Sequence, residues 1–122
     1  DMVHYGKRFN FSPFEKSKTI ERDVHGLESR VIESIKQLSR DDFETVCDET
    51  QAPVCGRNVI RIALEAAEKA SGFVGARQVS LAEQSEVLLL SHETSFLARG
   101  IPDVSSEDYE TVGYAALGFF KK

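Results

Sequence analysis

Three histidines and two cysteines are the side chains of this sequence best suited to metal binding or nucleophilic chemistry. His4, His25 and His92 are far apart and share no short motif. His92 and the following glutamate begin like a zincin motif, but Phe96 occupies the position of its second histidine. One imidazole supplies only one ligand to such a site. The sequence therefore predicts no metal site and no cofactor, and each histidine is interpreted as structural or surface-exposed.

The two cysteines, Cys47 and Cys55, are separated by seven residues. They could form a disulfide in an exported protein or remain reduced thiols in a cytoplasmic one. Nothing in the sequence brings either thiol close to a histidine, so a Cys–His nucleophilic pair is not supported. The sequence does not determine the cellular compartment but slightly favours the cytoplasm. Export is expected only if Cys47 and Cys55 form a disulfide.

Other catalytic signatures fail as well. The sequence has no glycine-rich phosphate loop ending in Lys-Ser/Thr and no nucleophile-elbow pentapeptide. Its acidic clusters fall at predicted helix starts or in loops, where capping and dipole compensation explain them. An enzymatic role is left undecided but disfavoured.

Two short fragments resemble known families. Residues 65–76 resemble the phosphorylated loop of histidine-phosphotransfer domains, with Glu65 at the position of the phosphorylated histidine. That substitution implies that no phosphotransfer occurs there. Residues 97–101 and 109–117 resemble the proximal and final helices of bacterial globins, with Phe96 where the haem-binding histidine falls. The two resemblances exclude each other, and neither assigns the chain to a family.

The hydrophobic spacing predicts a long first helix. Ser12, Pro13 and Glu15 are typical of a capped helix start, and the helix is expected to run to about Leu38. Apolar residues recur along it every three or four positions and form one stripe, namely Ile20, Val24, Leu27, Val31, Ile35 and Leu38. At about 26 residues the helix would span roughly 39 Å, more than a small bundle needs. Either the helix bends or part of it pairs with another chain.

Further helices are predicted downstream, and no convincing strand. One starts at the Ser39 cap, another covers residues 56–71, and a third spans 81–99 after a Ser80–Glu83 capping box. The last predicted helix is capped by Ser105. Its inward-facing residues would be Tyr109, Val112, Ala116, Phe119 and Phe120. The expected fold is an all-α, four- to five-helix bundle with a long first helix. It forms a single helical domain, 1–122, with an irregular N-terminal arm at 1–11.

The composition of the chain argues against two classes of binding partner. Net charge is −5 and the basic residues are scattered, which disfavours nucleic acid as a ligand. The longest apolar run, Val87 to Leu90, is far shorter than the roughly 20 residues of a membrane span. A soluble protein without a nucleic-acid or membrane partner is predicted.

The function predicted from these observations is a non-catalytic helical module for protein–protein interaction or regulation that self-associates, for example as a homodimer. Its partner-binding residues would be Ile20, Val24, Leu27, Val31 and Ile35. The rival interpretation is that this stripe only seals the protein's own core. The alternative function is a small-molecule or cofactor sensor. Its ligand pocket would be lined by Leu88, His92, Phe96, Tyr109 and Phe119.

Overall fold

The protein has a mixed α/β fold, so the prediction of an all-α bundle is wrong. The computed structural model describes residues 1–14, 19–74, 77–80, 82–94 and 110–122. Within these ranges the helices are α1 (Ile20–Lys36), α2 (Arg40–Thr50) and α3 (Arg57–Lys69). The strands are β1 (His4–Tyr5), β2 (Ser71–Val74), β3 (Arg77–Ser80), β4 (Ser85–Thr94) and β5 (Thr111–Lys121). None of the described helices is long and apolar enough to cross a membrane.

The first helix is shorter than predicted. Residues 12–14 are not helical, Glu15 lies outside the described residues, and α1 begins at Ile20. At its start the Thr19 hydroxyl donates a hydrogen bond to Asp23 Oδ2 at 2.9 Å. The helix ends at Lys36, so its length gives no reason to expect a second chain.

The apolar stripe of α1 faces the protein's own interior. Ile20, Val24, Val31 and Ile35 are buried, and Leu27 packs partly buried against the core. These side chains are covered within the chain, and their predicted role in binding a partner stays a prediction. The rival interpretation, that the stripe seals the core, agrees with the structure.

The next two helices match their predictions closely. Ser39 caps α2, because its Oγ accepts a hydrogen bond from the Asp42 amide at 3.2 Å. Gly56 precedes α3, which ends at Lys69, two residues before the predicted end. Phe43 and Cys47 of α2 and Leu64 of α3 are completely buried in the main core beside α1.

The C-terminal half is where the helical prediction fails. The predicted helix at 81–99 contains β4, and the predicted last helix contains β5. The two strands pair antiparallel from Ser85 opposite Lys121 to Thr94 opposite Gly113, with an irregularity between Leu89 and Ser91. The Ser80–Glu83 capping box does form, with bonds of 2.8 and 3.2 Å. It leads only into a 3-10 turn, Ala82–Gln84, and not into an α-helix.

Composition explains why these segments are strands. Residues 111–121 contain β-branched and aromatic side chains, which favour strands, and two glycines, which weaken a helix. The apolar run from Val87 to Leu90 does not by its periodicity distinguish a buried helix from a strand. In the structure Val87 is buried, but Leu88, Leu89 and Leu90 are exposed, so the run is not the centre of a buried helix.

The predicted irregular N-terminal arm is an ordered part of the fold. β1 pairs antiparallel with β5, which gives a three-stranded sheet in the order β1–β5–β4. Met2 and Val3 are buried in the main core, and Tyr5 is buried beside Ile20 and Val24. β2 and β3 form a separate antiparallel pair. The arm therefore has a fixed position between the sheet and the helices.

Candidate metal site and a neighbouring buried carboxylate

Three potential metal ligands from distant parts of the chain meet at the start of the sheet. Asp1, His4 and Cys55 each offer one ligand atom, and these three atoms lie within 4.8 Å of one another. The Asp1 and Cys55 side chains are exposed, and His4 is partly buried. A solvent-accessible cluster of carboxylate, imidazole and thiol is thus assembled on the surface.

Backbone hydrogen bonds hold the two segments of this cluster together. The His4 amide donates to the Pro53 carbonyl at 3.2 Å, and the Cys55 amide donates to the Met2 carbonyl at 3.3 Å. The Gly56 amide also donates to the Asp1 carbonyl at 3.3 Å. Because both partners are main-chain groups, the spacing of the three ligands is determined by the fold and not by flexible side chains alone.

The His4 ring has a defined environment. Its Nδ1 lies 3.3 Å from the Met2 carbonyl, and its edge packs on Phe9 with the ring centroids 4.9 Å apart. When Nδ1 carries the proton and donates to this carbonyl, Nε2 keeps its lone pair for a metal ion. A backbone carbonyl that bonds the non-ligating nitrogen is the usual outer-shell support for a metal-binding histidine.

The donor set fits a transition-metal ion. A thiolate is a soft ligand that selects zinc, copper or iron over magnesium and calcium, and imidazole suits the same metals. Carboxylates are ligands at both zinc and non-haem iron sites. Three protein ligands leave at least one coordination position for water or substrate, as in catalytic metal sites.

A second group of ionisable side chains lies inside the protein, next to β1. Glu28 of α1 is fully buried, and its Oε2 is 2.7 Å from Nε2 of His92 on β4. The His92 ring stacks on His25, with the centroids 4.1 Å apart. Two turns before Glu28 on α1, Glu21 accepts a hydrogen bond from the Thr94 hydroxyl. These two bonds tie α1 to the inner face of β4.

Burial controls the proton affinity of this pair. Desolvation raises the pKa of Glu28 to about 7, opposed mainly by its interaction with the Val3 backbone and by the nearby His25. Desolvation also lowers the pKa of His92. Both shifts have the same cause, since a low-dielectric interior disfavours the charged form of either group. The proton therefore resides on the carboxyl group in weakly acidic solution.

Gly113 makes room for the Glu28 carboxyl group. A Cβ atom on Gly113 would lie 1.4 Å from Glu28 Oε1 and 2.1 Å from its Cδ. Gly113 also exchanges backbone hydrogen bonds with the arm, since it accepts from the Met2 amide at 2.7 Å and donates to the Val3 carbonyl at 2.9 Å. The carboxyl group thus occupies the space beneath the junction of β5 and the arm.

The structure separates the two cysteines that the sequence left as a possible disulfide. Both are free thiols, with Cys47 buried in the core and Cys55 exposed. Burial raises the pKa of the Cys47 thiol. Sequence reasoning missed the role that Cys55 can play with Asp1 and His4, because 51 positions separate it from His4 and no local motif links them.

The residues of the predicted ligand pocket are not brought together as far as the structure describes them. Leu88 is 45% exposed and Phe119 is 52% exposed, whereas His92 is turned inward to Glu28. Phe96 and Tyr109 lie outside the described residues. A cavity of about 360 Å³ lies elsewhere, beside the C-terminal end of α1, and its lining includes Lys36, Glu86 and Lys122.

Comparison with known proteins gives a consistent result. A family model described as "Memo-like protein" matches residues 1–118. "Protein memo-1 homolog" from Caenorhabditis elegans is 34% identical over 70 residues, which cover 56% of this chain and 20% of that protein. "MEMO1 family protein" from Caldivirga maquilingensis is 34% identical over 92 residues, which cover 75% of this chain and 26% of that protein. The matched part is thus about a fifth to a quarter of the length of these relatives.

Proposed function

The chain belongs to the Memo-like protein family, and from that membership and the geometry above we propose that Asp1, His4 and Cys55 bind a transition-metal ion. The observation that carries the proposal is the convergence of their three ligand atoms within 4.8 Å. The ligands come from two segments joined by main-chain hydrogen bonds, and the imidazole is oriented by a backbone carbonyl.

Family membership overturns the function predicted from the sequence. A non-catalytic helical interaction module requires a helical fold and an exposed apolar stripe, but the fold is mixed α/β and the stripe of α1 is buried. The homologous family is ring-cleaving dioxygenase-like. The prediction of a helical regulatory module is therefore wrong, and so is its helical sensor alternative.

The likeness of the family to ring-cleaving dioxygenases suggests which metal site to compare with the proposed one. Non-haem iron oxygenases typically hold Fe(II) with two histidines and one carboxylate on one face of the ion, which leaves positions open for oxygen and substrate. Asp1 and His4 supply the carboxylate and one imidazole of such a set. Cys55 supplies a thiolate where that set has a second histidine. We therefore propose metal binding for this chain and treat ring cleavage as the activity to assay once metal is bound.

Each ligand residue has a separate task in the proposed site. The exposed Cys55 thiol must lose its proton to bind a metal ion, and the metal's own charge favours that loss. His4 must bind through a neutral ring, with its proton held at Nδ1 against the Met2 carbonyl. Asp1 contributes negative charge, which offsets part of the metal's charge.

Cobalt(II) titration tests the proposal directly. The metal-free chain is titrated with Co(II) at pH 7.5, and the near-ultraviolet thiolate-to-cobalt band and the visible d–d bands are recorded. One equivalent is expected to bind and to produce both sets of bands. Cys55→Ser is expected to remove the thiolate band, and His4→Ala to weaken binding by more than about 100-fold, beyond the 10–100-fold typical of outer-shell changes.

The buried cysteine provides a matched control. Cys47→Ala removes the other thiol of the chain and is expected to leave the thiolate band and the affinity unchanged, because Cys47 lies in the core and outside the ligand cluster. Circular dichroism of every variant checks that the fold is retained. Absence of stoichiometric Co(II) binding by the unaltered chain, or a thiolate band that survives Cys55→Ser, contradicts the proposal.

A further inference from the structure

The buried Glu28 is the group whose presence the metal ligands do not themselves explain. It interrupts an otherwise largely apolar inner face of α1, and burying a carboxyl group is costly unless it is well paired. His92 satisfies Oε2, but among the described residues no hydrogen-bond partner reaches the equally buried Oε1. A group this costly to bury calls for a role beyond filling space.

The surroundings of the unpaired oxygen point to the N-terminal arm. Oε1 occupies the space that a Gly113 side chain would take, and Gly113 exchanges hydrogen bonds with Met2 and Val3. The Val3 backbone is also close enough to the Glu28 carboxyl group to lower its pKa. Val3 is the residue that immediately precedes His4. Glu28 therefore lies beside the short segment that carries two of the three proposed ligands.

We infer that Glu28 is a positioning residue for the proposed metal site. It holds the arm at Val3 and thereby fixes the positions of Asp1 and His4. This inference rests on the proposed metal binding. Glu28 is itself held from the other side, because His92 bonds its Oε2 and stacks on His25. The arm, α1 and β4 are thereby linked through one carboxyl group.

The placement of Glu28 distinguishes positioning from ligation. It is fully buried, and it is absent from the three-residue cluster whose ligand atoms converge at the surface. Its effect on a bound metal ion must therefore pass through the backbone of the N-terminal arm. Outer-shell residues of this kind typically alter metal affinity by 10–100-fold when replaced.

The test compares Glu28→Ala, Glu28→Asp and Glu28→Gln with the unaltered chain at pH 7.5. Glu28→Ala and the shorter Glu28→Asp are expected to weaken Co(II) binding by about 10–100-fold and to shift the d–d bands. Glu28→Gln, which keeps the length and shape of the side chain, is expected to restore affinity to within about threefold of the original, since it can still contact Val3 and His92.

Amide hydrogen exchange provides a readout that does not need metal. In the metal-free protein, exchange at Val3 and His4 is expected to accelerate in Glu28→Asp and Glu28→Ala and to stay slow in Glu28→Gln. Ser34→Ala is the matched control, because Ser34 is a buried polar residue of the same helix whose hydroxyl donates to the Val31 carbonyl. It is expected to leave both exchange and Co(II) affinity unchanged.

The outcomes separate this inference from the proposed function. If the unaltered chain binds Co(II) but Glu28→Asp changes neither its affinity nor the exchange of Val3 and His4, Glu28 does not position the site and the metal proposal stands. If the unaltered chain binds no Co(II), the metal proposal falls, and with it the role of Glu28 in metal binding. Should Glu28→Ala fail to fold, the Glu28→Asp and Glu28→Gln pair decides the matter.

Discussion

The exposed Asp1–His4–Cys55 cluster and the buried Glu28–His92 pair use the same kinds of side chain in opposite environments. In the cluster, Asp1 and Cys55 are exposed to water and His4 is partly buried, so the ligand atoms remain accessible. In the pair, burial makes charge costly, raises the pKa of the carboxyl group and lowers that of the imidazole. Environment and not residue type therefore determines which group can exchange ligands and which is locked into the fold.

The two regions also differ in what their replacement should change. Substitution at an exposed ligand removes a potential metal contact and leaves the core intact, whereas substitution at the buried pair disturbs packing between α1, β4 and the arm. We expect large effects on stability from the buried pair and small ones from the exposed cluster. Three substitutions test this difference, in order of decreasing effect.

Gly113→Ala should have the largest effect on stability. The added Cβ would lie 1.4 Å from Glu28 Oε1, so the carboxyl group must leave its site and its bond to His92 must break. Overpacking the interior and leaving a buried hydrogen-bonding group unsatisfied each cost about 1–3 kcal/mol, together about 2–6 kcal/mol. The free energy of unfolding from urea titration is expected to fall by an amount in that range.

Gly26→Ala is the matched control for Gly113→Ala. Gly26 lies within α1, and a Cβ there would meet nothing within 4 Å. Alanine is the better helix former, so this variant should be more stable than the original by up to about 1 kcal/mol. If Gly113→Ala is as stable as Gly26→Ala, the close packing of Glu28 against β5 is disproved.

The second-largest effect is expected in the pH dependence of the free energy of unfolding, through the titration of Glu28. Its pKa is raised from 4.5 to about 7 in the folded protein, so the folded state holds a proton that the unfolded state has released. This extra proton binding adds to the free energy of unfolding below pH 4.5, the pKa of Glu28 in the unfolded state. The added free energy is lost as the pH rises from 4.5 to about 7. The loss amounts to about 3 kcal/mol, at 1.36 kcal/mol for each pH unit between 4.5 and about 7.

Glu28→Gln isolates that contribution, because it removes the titrating proton and keeps the shape. Urea titrations of both proteins at several pH values should show the stability of the original falling relative to the variant up to about pH 7, with no further relative change above it. His92 acts in the opposite direction, since burial lowers its pKa and its contribution is lost as the pH falls. A constant difference between the two proteins across this range would show that Glu28 titrates normally.

Sequence reasoning predicted the helical layer because its signals are local. The stripe of α1, the Ser39 cap and the glycine before α3 each depend on residues within a few positions of one another. The same reasoning failed for β4 and β5, whose pairing joins residues as far apart as Ser85 and Lys121. The Ser80–Glu83 capping box shows that a correctly identified local motif does not guarantee the element expected after it.

The candidate site was beyond reach from the sequence for the same reason. Asp1 and His4 are close in sequence, but Cys55 joins them only through the backbone bonds between the arm and the segment before α3. The sequence predicts a helix around His92, whereas the structure places this residue on a strand and pairs it with Glu28. The residues around a histidine do not indicate which distant residue it will contact in the fold.

Cys55→Ser should change stability least. The side chain is exposed, its thiol is free, and the hydrogen bond that fixes this residue comes from its backbone amide, which serine retains. Surface substitutions of this kind usually stay within about 0.5 kcal/mol. Urea titration of the metal-free variant should therefore give an unfolding curve that nearly overlays the original.

The same change at Cys47 supplies the contrast, because a hydroxyl would replace a thiol that is completely buried in the core. Burying an unsatisfied hydroxyl costs about 1–3 kcal/mol by protein mutational data, so Cys47→Ser should be clearly less stable. Equal losses for the two serine variants would mean that Cys55 is packed as Cys47 is. A packed thiol could not turn to a metal ion without disrupting its surroundings, so the comparison tests the accessibility on which the metal proposal depends.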